Sequence, residues 1–254
     1  MFPTRLSILT YNLWNTQRWP EREAAVKAFF RRFRPDIFCL QELRKETRGA
    51  LDKALPDYRR VDDKHPGWTG ESNIFWNNLM LEELEHGIED IAIHTDRNRG
   101  MFWVRLQVRA TGQRVFVSTA HYTYQQHPDE VRSGQSPRVE QARQTVQALK
   151  KLVRDGEAGF FLGDLNDPVL PIMVLAEGGY HSCFSQLDLL PPPTWPSLPT
   201  ARTGPWETIT NQTIDWIVSN DQAHPISVDV PHFYLEDISP SDHWPVLAVY
   251  QLDA

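Results

Sequence analysis

Seven polar residues sit where strand-like apolar runs give way to loops: Asn12, Glu42, His121, Asp164, Asn166, Asp242 and His243. An eighth, Asp215, lies inside the apolar run Ile214-Asp215-Trp216-Ile217-Val218. Carboxylates and carboxamides hold hard cations and water, and imidazoles exchange protons near neutral pH. The stretch Phe160-Phe161-Leu162-Gly163-Asp164-Leu165-Asn166 shows the pattern. Its apolar start reads as a buried strand, and the alternation of side chains puts Asp164 and Asn166 on one face. A small acid beside a small amide at a strand end suits a water or a metal, and Gly163 lets another backbone or a ligand come close. Singly, each residue has an ordinary explanation. Asn12, Asp164 and Asn166 would make turns, and Gln41-Glu42 a solvated helix start. His121 would be a satisfied core histidine, Asp215 a buried acid bonded to an amide, and Ser241-Asp242-His243 a turn with a capping serine. The recurrence of one placement, segment after segment, points to a shared site.

The elements that must position these residues alternate strand and helix. Leu6 to Tyr11 reads as a strand ending at Asn12. Val26, Phe29, Phe30 and Phe33 share one helical face, predicting a helix from Glu21 to Phe33 that Pro35 stops. Asp36 to Leu40 is a second strand ending at Gln41-Glu42. A strand–helix–strand opening implies parallel neighbours joined by a right-handed crossover. Asn12 and Glu42 then share the carboxyl edge of a sheet, where ligands of α/β proteins bind. Downstream, a helix is predicted near Thr47–Leu55, a strand at Tyr58–Val61, and a hairpin from Ser72–Trp76 and Leu79–Leu84 around Asn77-Asn78. A second hairpin joins Met101–Arg109 to Arg114–Ala120 and delivers His121, which puts the loop carrying Arg97 and Arg99 beside the site. A helix over Arg138–Arg154, a strand over Thr213–Val218 and a last strand over Trp244–Tyr250 complete the chain. A long loop bearing proline and tryptophan runs from Pro191 to Gln212. No repeat, low-complexity tract or linker interrupts the chain, so residues 1–254 read as a single domain.

A chain of 254 residues with 41% hydrophobic and 23% charged content is expected to be an ordinary soluble globular protein. The net charge of −7 argues against a sequence-independent nucleic-acid coat protein and leaves room for a local basic groove. Cys39 and Cys183 are the only cysteines, with neither a disulfide framework nor zinc spacing. Without a signal sequence or an apolar run of membrane-spanning length, the expected compartment is the cytoplasm.

Tyr11-Asn12, Leu40-Gln41-Glu42, Ala120-His121, Gly163-Asp164-Leu165-Asn166, Ile214-Asp215-Trp216-Ile217 and Ser241-Asp242-His243 stand in the order and spacing of a known family. From Asn12 to His243 the chain resembles the endonuclease/exonuclease/phosphatase superfamily, with its deoxyribonuclease I-like fold. That resemblance implies an α/β (α+β) fold: a four-layer α/β/β/α sandwich in which two mixed sheets pack face to face with helices outside. It also implies a phosphoric ester hydrolase. The superfamily includes abasic endonucleases, tyrosyl-DNA phosphodiesterases, deadenylases, neutral sphingomyelinases and inositol polyphosphate 5-phosphatases.

For such chemistry an anionic phosphodiester needs charge neutralisation and a placed nucleophile. Asn12 and Glu42, with Asp242 completing the shell, suit Mg²⁺, for which Mn²⁺ can substitute. Asp164 is the candidate for orienting and deprotonating the attacking water, with Asn166 holding that water or the phosphate. His121 and His243 would donate to non-bridging oxygens. Asp215 would fix the tautomer and charge of His243. One departure is visible: abasic endonucleases carry an acidic metal ligand two positions after the first-motif asparagine, and here that position is Trp14. The Glu71-Ser72-Asn73 stretch reads equally as a substrate or metal contact and as a solvated turn.

Trp14, Trp19, Trp68, Trp195 and Trp206 fall in loops placed at the site edge. There Trp68 and Trp195 would stack on bases or an apolar leaving group, while at least two of the five simply pack the loops. Arg97 and Arg99, with Arg44 and Lys45, would bind flanking phosphates. The leading expectation is a Mg²⁺-dependent phosphodiesterase or nuclease on DNA or RNA, monomeric and without stable membrane association. The alternatives are hydrolysis of a small or lipid-derived phosphate, and an inactive binding domain on the same fold.

Overall fold

The structure, a computed structural model, describes residues 3–93, 97–197 and 211–253. Two six-stranded mixed sheets carry the fold. The first has the order β11-β12-β1-β2-β4-β3, from β1 (Arg5–Asn12), β2 (Ile37–Gln41), β3 (Tyr58–Arg60), β4 (Asn73–Asn77), β11 (Ala223–Asp229) and β12 (Val246–Leu252). The second has the order β5-β6-β7-β8-β10-β9, from β5 (Leu81–Glu89), β6 (Met101–Val108), β7 (Arg114–His121), β8 (Ala158–Asp164), β9 (His181–Ser182) and β10 (Asp215–Ser219). The helices are α1 (Glu23–Phe33), α2 (Lys45–Ala54), α3 (Pro66–Gly70), α4 (Pro128–Ser133), α5 (Pro137–Leu152), α6 (Leu170–Glu177) and α7 (Cys183–Gln186). This is the expected α/β/β/α sandwich.

The period-two alternation of β1 and β2 divides the apolar residues between two layers. Leu6, Ile8, Ile37 and Cys39 join the core that also contains the second sheet, while Leu9, Tyr11, Phe38 and Leu40 pack with Val26, Phe29 and Phe30 of α1. By the same parity Thr10, Asn12 and Gln41 face the space between the sheets. There Thr10 Oγ1 donates to Gln41 Oε1 and Gln41 Nε2 donates to Thr119 Oγ1. The strand–helix–strand opening has the expected parallel β1–β2 pairing, and β6 and β7 form the expected hairpin.

The predicted hairpin around Asn77-Asn78 does not form. β4 pairs with β2 and β3 in the first sheet, whereas β5 pairs with β6 in the second. The short connection therefore crosses from one sheet to the other. The reason lies in burial. Residues 73–76 of β4 are buried, with Ile74 and Trp76 in the inter-sheet core and Phe75 on the Phe38 ring, 4.8 Å away. A hairpin at the sheet edge would leave one of those faces wet. The sequence signals did not predict β9, β11, α3, α4, α6 and α7, which are short or weakly periodic.

Gly163 has φ +152°, and a Cβ there would lie 2.0 Å from the Ala120 carbonyl oxygen of the neighbouring strand β7. The close approach read from the sequence is thus to backbone, not to a ligand. Gly163→Ala is expected to cost about 3 kcal/mol or more, because neither backbone can yield without breaking the β7–β8 pairing. The check is the urea unfolding midpoint, and a shift within error of zero would contradict it.

Candidate functional site

Strand register gathers the polar residues. β7 and β8 run parallel with His121 opposite Asp164, and β8 and β10 run antiparallel with Asp164 opposite Asp215. The three therefore stand abreast at one end of the second sheet, on strands about 4.8 Å apart. Asp215 is the first residue of β10 and not, as expected, inside a strand. Across the inter-sheet gap Asn12 ends β1, and its Nδ2 donates to Asp164 Oδ2 at 2.9 Å and to Glu42 Oε1 at 3.3 Å. Asn12 Oδ1 accepts the Trp14 N–H at 2.9 Å. The Asn12 amide thus ties two carboxylates together, and its oxygen, with one lone pair on a backbone donor, keeps a second.

Glu42 follows β2 with φ 52°, in the left-handed region that a residue with a Cβ rarely adopts. Asn15 Nδ2 donates to Glu42 Oε2 at 2.9 Å. Asn166 also has a left-handed φ, 51°. Its N–H donates to Asp164 Oδ1 at 2.9 Å, and its side-chain amide to the Tyr122 carbonyl at 3.1 Å. Two strained backbones holding polar side chains in one hollow mark a site whose geometry is imposed by the surrounding structure.

His243 Nδ1 lies 2.8 Å from Asp215 Oδ2, and its Nε2 lies 3.9 Å from Asp164 Oδ2. Burial favours the neutral ring. The negative charge and hydrogen bond of Asp215, then Asp242 and Asp164, outweigh it and raise the imidazole to about 10. Burial pushes the Asp215 carboxyl up, and His243 pulls against that. Asp242 is pushed up to about 6 by burial, opposed by His243; Glu42 adds to the rise, while the Trp195 indole hydrogen bond and Arg22 oppose it.

His121 Nδ1 meets Glu71 Oε1 at 3.0 Å, and its Nε2 is 3.4 Å from Asp164 Oδ2. Glu71 is thus no solvated turn residue: it is 2% exposed, and Arg99 Nε lies 3.1 Å from its Oε1. Burial opposes its charge. The hydrogen bond from His121 and the charges of His121, Arg99 and Arg44 prevail and hold the carboxyl at about 2, below its ordinary 4.5. A depressed carboxylate contributes stability that is complete above its unfolded value and lost as pH falls through the folded one. Glu71→Gln is therefore expected to cost about 3 kcal/mol at neutral pH and to flatten the loss of stability between pH 4.5 and 2. Urea titrations at several pH values test this; parallel pH profiles for the two proteins would refute it.

Arg22 is fully buried beneath the first loop. It donates to the carbonyls of Leu13, Trp14, Asn15, Gln17 and Pro240. Its guanidinium lies 5.1 Å from the Trp14 ring, so one side chain ties the loop after β1 to the segment preceding Asp242. Ser241 Oγ makes the second tie, donating to the Asn12 carbonyl at 2.6 Å. Arg22 was missed as a site-building residue. The available signal is its position at i−4 from Val26 on the buried face of α1.

Glu42, His121, Asp164, Asn166, Asp242 and His243 floor a cavity of about 760 Å³ whose walls include Trp14, Trp195, Arg99, Tyr124, Gln125 and Gln212. The Trp195 ring lies 6.4 Å from His243. Other predicted contacts fall elsewhere. Trp68 is 1% exposed and packs on Phe102, with ring centroids 4.9 Å apart, so its predicted stacking role is replaced by a core one. Trp19 packs against the α1 core, and Trp206 lies outside the described residues. Arg97 is exposed and does not line the cavity; Arg44 is held by the Leu43 and Gly70 carbonyls. Among the described residues no helix is long and apolar enough to cross a membrane.

No curated protein sequence matches the chain significantly. Solved structures do. The structure of D. rerio TDP2 complexed with single-strand DNA product is 19% identical, covers 98% of this chain and 99% of its own, and superposes with a TM-score of 0.80. An endonuclease/exonuclease/phosphatase family protein from Bacteroides thetaiotaomicron is 20% identical over the whole of both chains, with a TM-score of 0.81. The mannosyl-6-phosphatase Bt3783 from the same organism is 18% identical over 96% of this chain and 99% of its own, with a TM-score of 0.79. At these identities the likeness is one of fold. Family membership rests on the sequence: residues 9–243 match the Endonuclease/Exonuclease/phosphatase family. With its two-sheet sandwich and its motifs in family order, the chain belongs to that family of phosphoester hydrolases.

Proposed function

We propose that this protein is a divalent-cation-dependent phosphodiesterase acting on nucleic acid, at a strand end or within a single strand. The observation that carries the reading is the Asp164 carboxylate. It is fixed by Asn12 and Asn166 and faced by the Nε2 atoms of His121 and His243 at the floor of an open, aromatic-walled cavity. Such a carboxylate orients a water and takes its proton. His243, charged through Asp215, donates to the phosphoryl oxygens as charge develops on them. His121, steadied by Glu71, donates from the other side, and Asn166 holds the water or a phosphate oxygen.

The donor set fits a cation at Glu42 and Asp242, two oxygen ligands of the kind Mg²⁺ and Mn²⁺ prefer. Asp242 is buried, and its ionisation is disfavoured by Glu42, a cost that a divalent charge between them would remove. Asp164, Asp215 and His243 also bring ligand atoms within 4.8 Å of one another. There, however, the imidazole is committed to Asp215 and would first have to lose its proton. When bound, the cation supplies Lewis-acid activation of a phosphoryl oxygen.

Nucleic acid is favoured over a small phosphate by the cavity walls. Trp14 and Trp195 offer faces for stacking, whereas Arg99 is committed to Glu71, which leaves few cationic groups to clasp several phosphates. The likeness to a TDP2 structure holding a single-strand DNA product supports the same choice. The test is hydrolysis with Mg²⁺ or Mn²⁺ over single-stranded and duplex DNA, RNA, bis-p-nitrophenyl phosphate, a 5′-phosphotyrosyl oligonucleotide, a sugar phosphate and inositol polyphosphates. Oligonucleotide cleavage by wild type and not by Asp164→Asn is expected. Turnover confined to the small phosphates would move the assignment to a phosphatase.

A further inference from the structure

The catalytic cavity does not end at its own rim. Beyond Gln125, Gln126 and Gln212 lies a second hollow of about 590 Å³, and these three glutamines line both. Gln125 Nε2 donates to Gln212 Oε1 at 2.7 Å, forming an amide bar between the hollows. The bar joins the loop after β7 to the segment that enters β10. Gln212 is itself fixed by backbone pairing with Trp195 in both directions, at 2.9 and 2.8 Å. On the catalytic side the adjacent Tyr124 is 50% exposed and lines the same cavity as Trp195.

The second hollow is lined by one cation, Arg138, and two carboxylates, Glu130 and Asp167, a formal net charge of −1. Its one deep cation, Arg138, is 4% exposed and neutralised by Glu130 and by Asp167. Its Nη1 donates to the Thr123 carbonyl as well. Among the described residues a second phosphate would find no uncommitted cation there, only carboxylates already paired. Pro168 and Val131, the latter 70% exposed, add apolar wall. Each amide of the bar keeps an oxygen lone pair and at least one N–H beyond the bond they share. The bar thus presents a donor and an acceptor side by side, between an exposed aromatic ring and a hollow whose ionised groups are paired with one another. A flat, neutral group with a donor–acceptor edge matches that surface, which is the description of a nucleobase.

We infer that Tyr124, Gln125 and Gln212 form a nucleobase subsite next to the scissile phosphate, with the base stacked on Tyr124 and its edge on the Gln125–Gln212 bar. The inference rests on the phosphodiesterase reading for its location, and it adds which part of the substrate is recognised and by what. A side-by-side amide pair accepts the edges of several bases, so the subsite discriminates base from no base more sharply than one base from another.

Calorimetric binding of trinucleotides to Asp164→Asn in Mg²⁺ tests the subsite without requiring turnover. The set contains one intact trinucleotide and three in which a single position is abasic. One abasic position is expected to weaken binding about tenfold, the scale of one lost stacking contact. Adding Gln125→Ala and Gln212→Ala, or Tyr124→Leu alone, is expected to shrink that penalty to about twofold or less. Equal binding of all four oligonucleotides overturns the inference, and so does a penalty that survives these changes. A short neutral peptide displacing the intact trinucleotide at equal concentration also overturns it, since the bar would then be reading peptide amides. If the base penalty is found but wild type cleaves no phosphodiester, the subsite stands and the phosphodiesterase reading falls.

Discussion

Asp164→Asn is expected to lower kcat about 10³–10⁴-fold while leaving the fold and the cation titration nearly unchanged. The carboxylate accepts from Asn12 Nδ2 on one oxygen and from the Asn166 N–H on the other. An amide of the same shape keeps the position and loses the means to take a proton. Asp164 is buried at 1% exposure between two imidazoles, so no outside water can substitute for it as an acceptor in the same geometry. Cation affinity should hold, because Glu42 and Asp242 are untouched. The measurement is steady-state turnover of bis-p-nitrophenyl phosphate alongside a Mn²⁺ titration. Near-native turnover would remove Asp164 from the chemistry, and lost cation affinity would move it into the ligand set.

The second large effect concerns a pair. His243→Ala and Asp215→Asn are each expected to reduce kcat about 10²–10³-fold, and the double variant no further than His243→Ala alone. Asp215 acts through the ring: it holds Nδ1 at 2.8 Å, aims Nε2 into the cavity and keeps the imidazole charged. With an amide in its place the ring loses its principal counter-charge. In the cation-free protein the His243 resonance should titrate near 10 in wild type and several tenths of a unit or more lower in Asp215→Asn. The sign follows from the charges. A raised imidazole stabilises the fold fully below its unfolded value near 6.5 and loses that contribution as pH rises through about 10. Additive losses in the double variant would show that the two residues act separately.

Most of the site was legible before the fold was known. Its residues lie at strand ends, and period-two alternation already assigns them a face. Asn12 follows the parity of Leu6, Ile8 and Thr10, and Asp164 that of Phe160 and Leu162. What misled was context invisible along the chain. Trp68 looks like a loop-tip aromatic until α3 turns it onto Phe102 and His86. Glu71 looks like a turn acid until β7 brings His121 against it, fifty positions away. The Asn77-Asn78 turn reads as a hairpin because a local signal does not say which sheet the next strand joins.

The sequence by itself determined the chemistry and much of the patterning: most of the strands, their apolar faces, and that acids, amides and imidazoles recur at strand ends, while the four layers were implied by the resemblance of its motifs to the family. The chemistry and the patterning follow from local periodicity and side-chain type, which need no partner to exist. The tertiary structure alone decided how the groups are used. It set the side-chain amide of Asn12 on two carboxylates. It charged His243 through Asp215, buried Glu71 behind His121, and joined Gln125 to Gln212 across 87 positions. Hydrogen-bond polarity and the balance between burial and charge depend on distances of a few ångströms between residues remote in the chain. The pairing of strands within each sheet and the packing of one sheet on the other fix those distances.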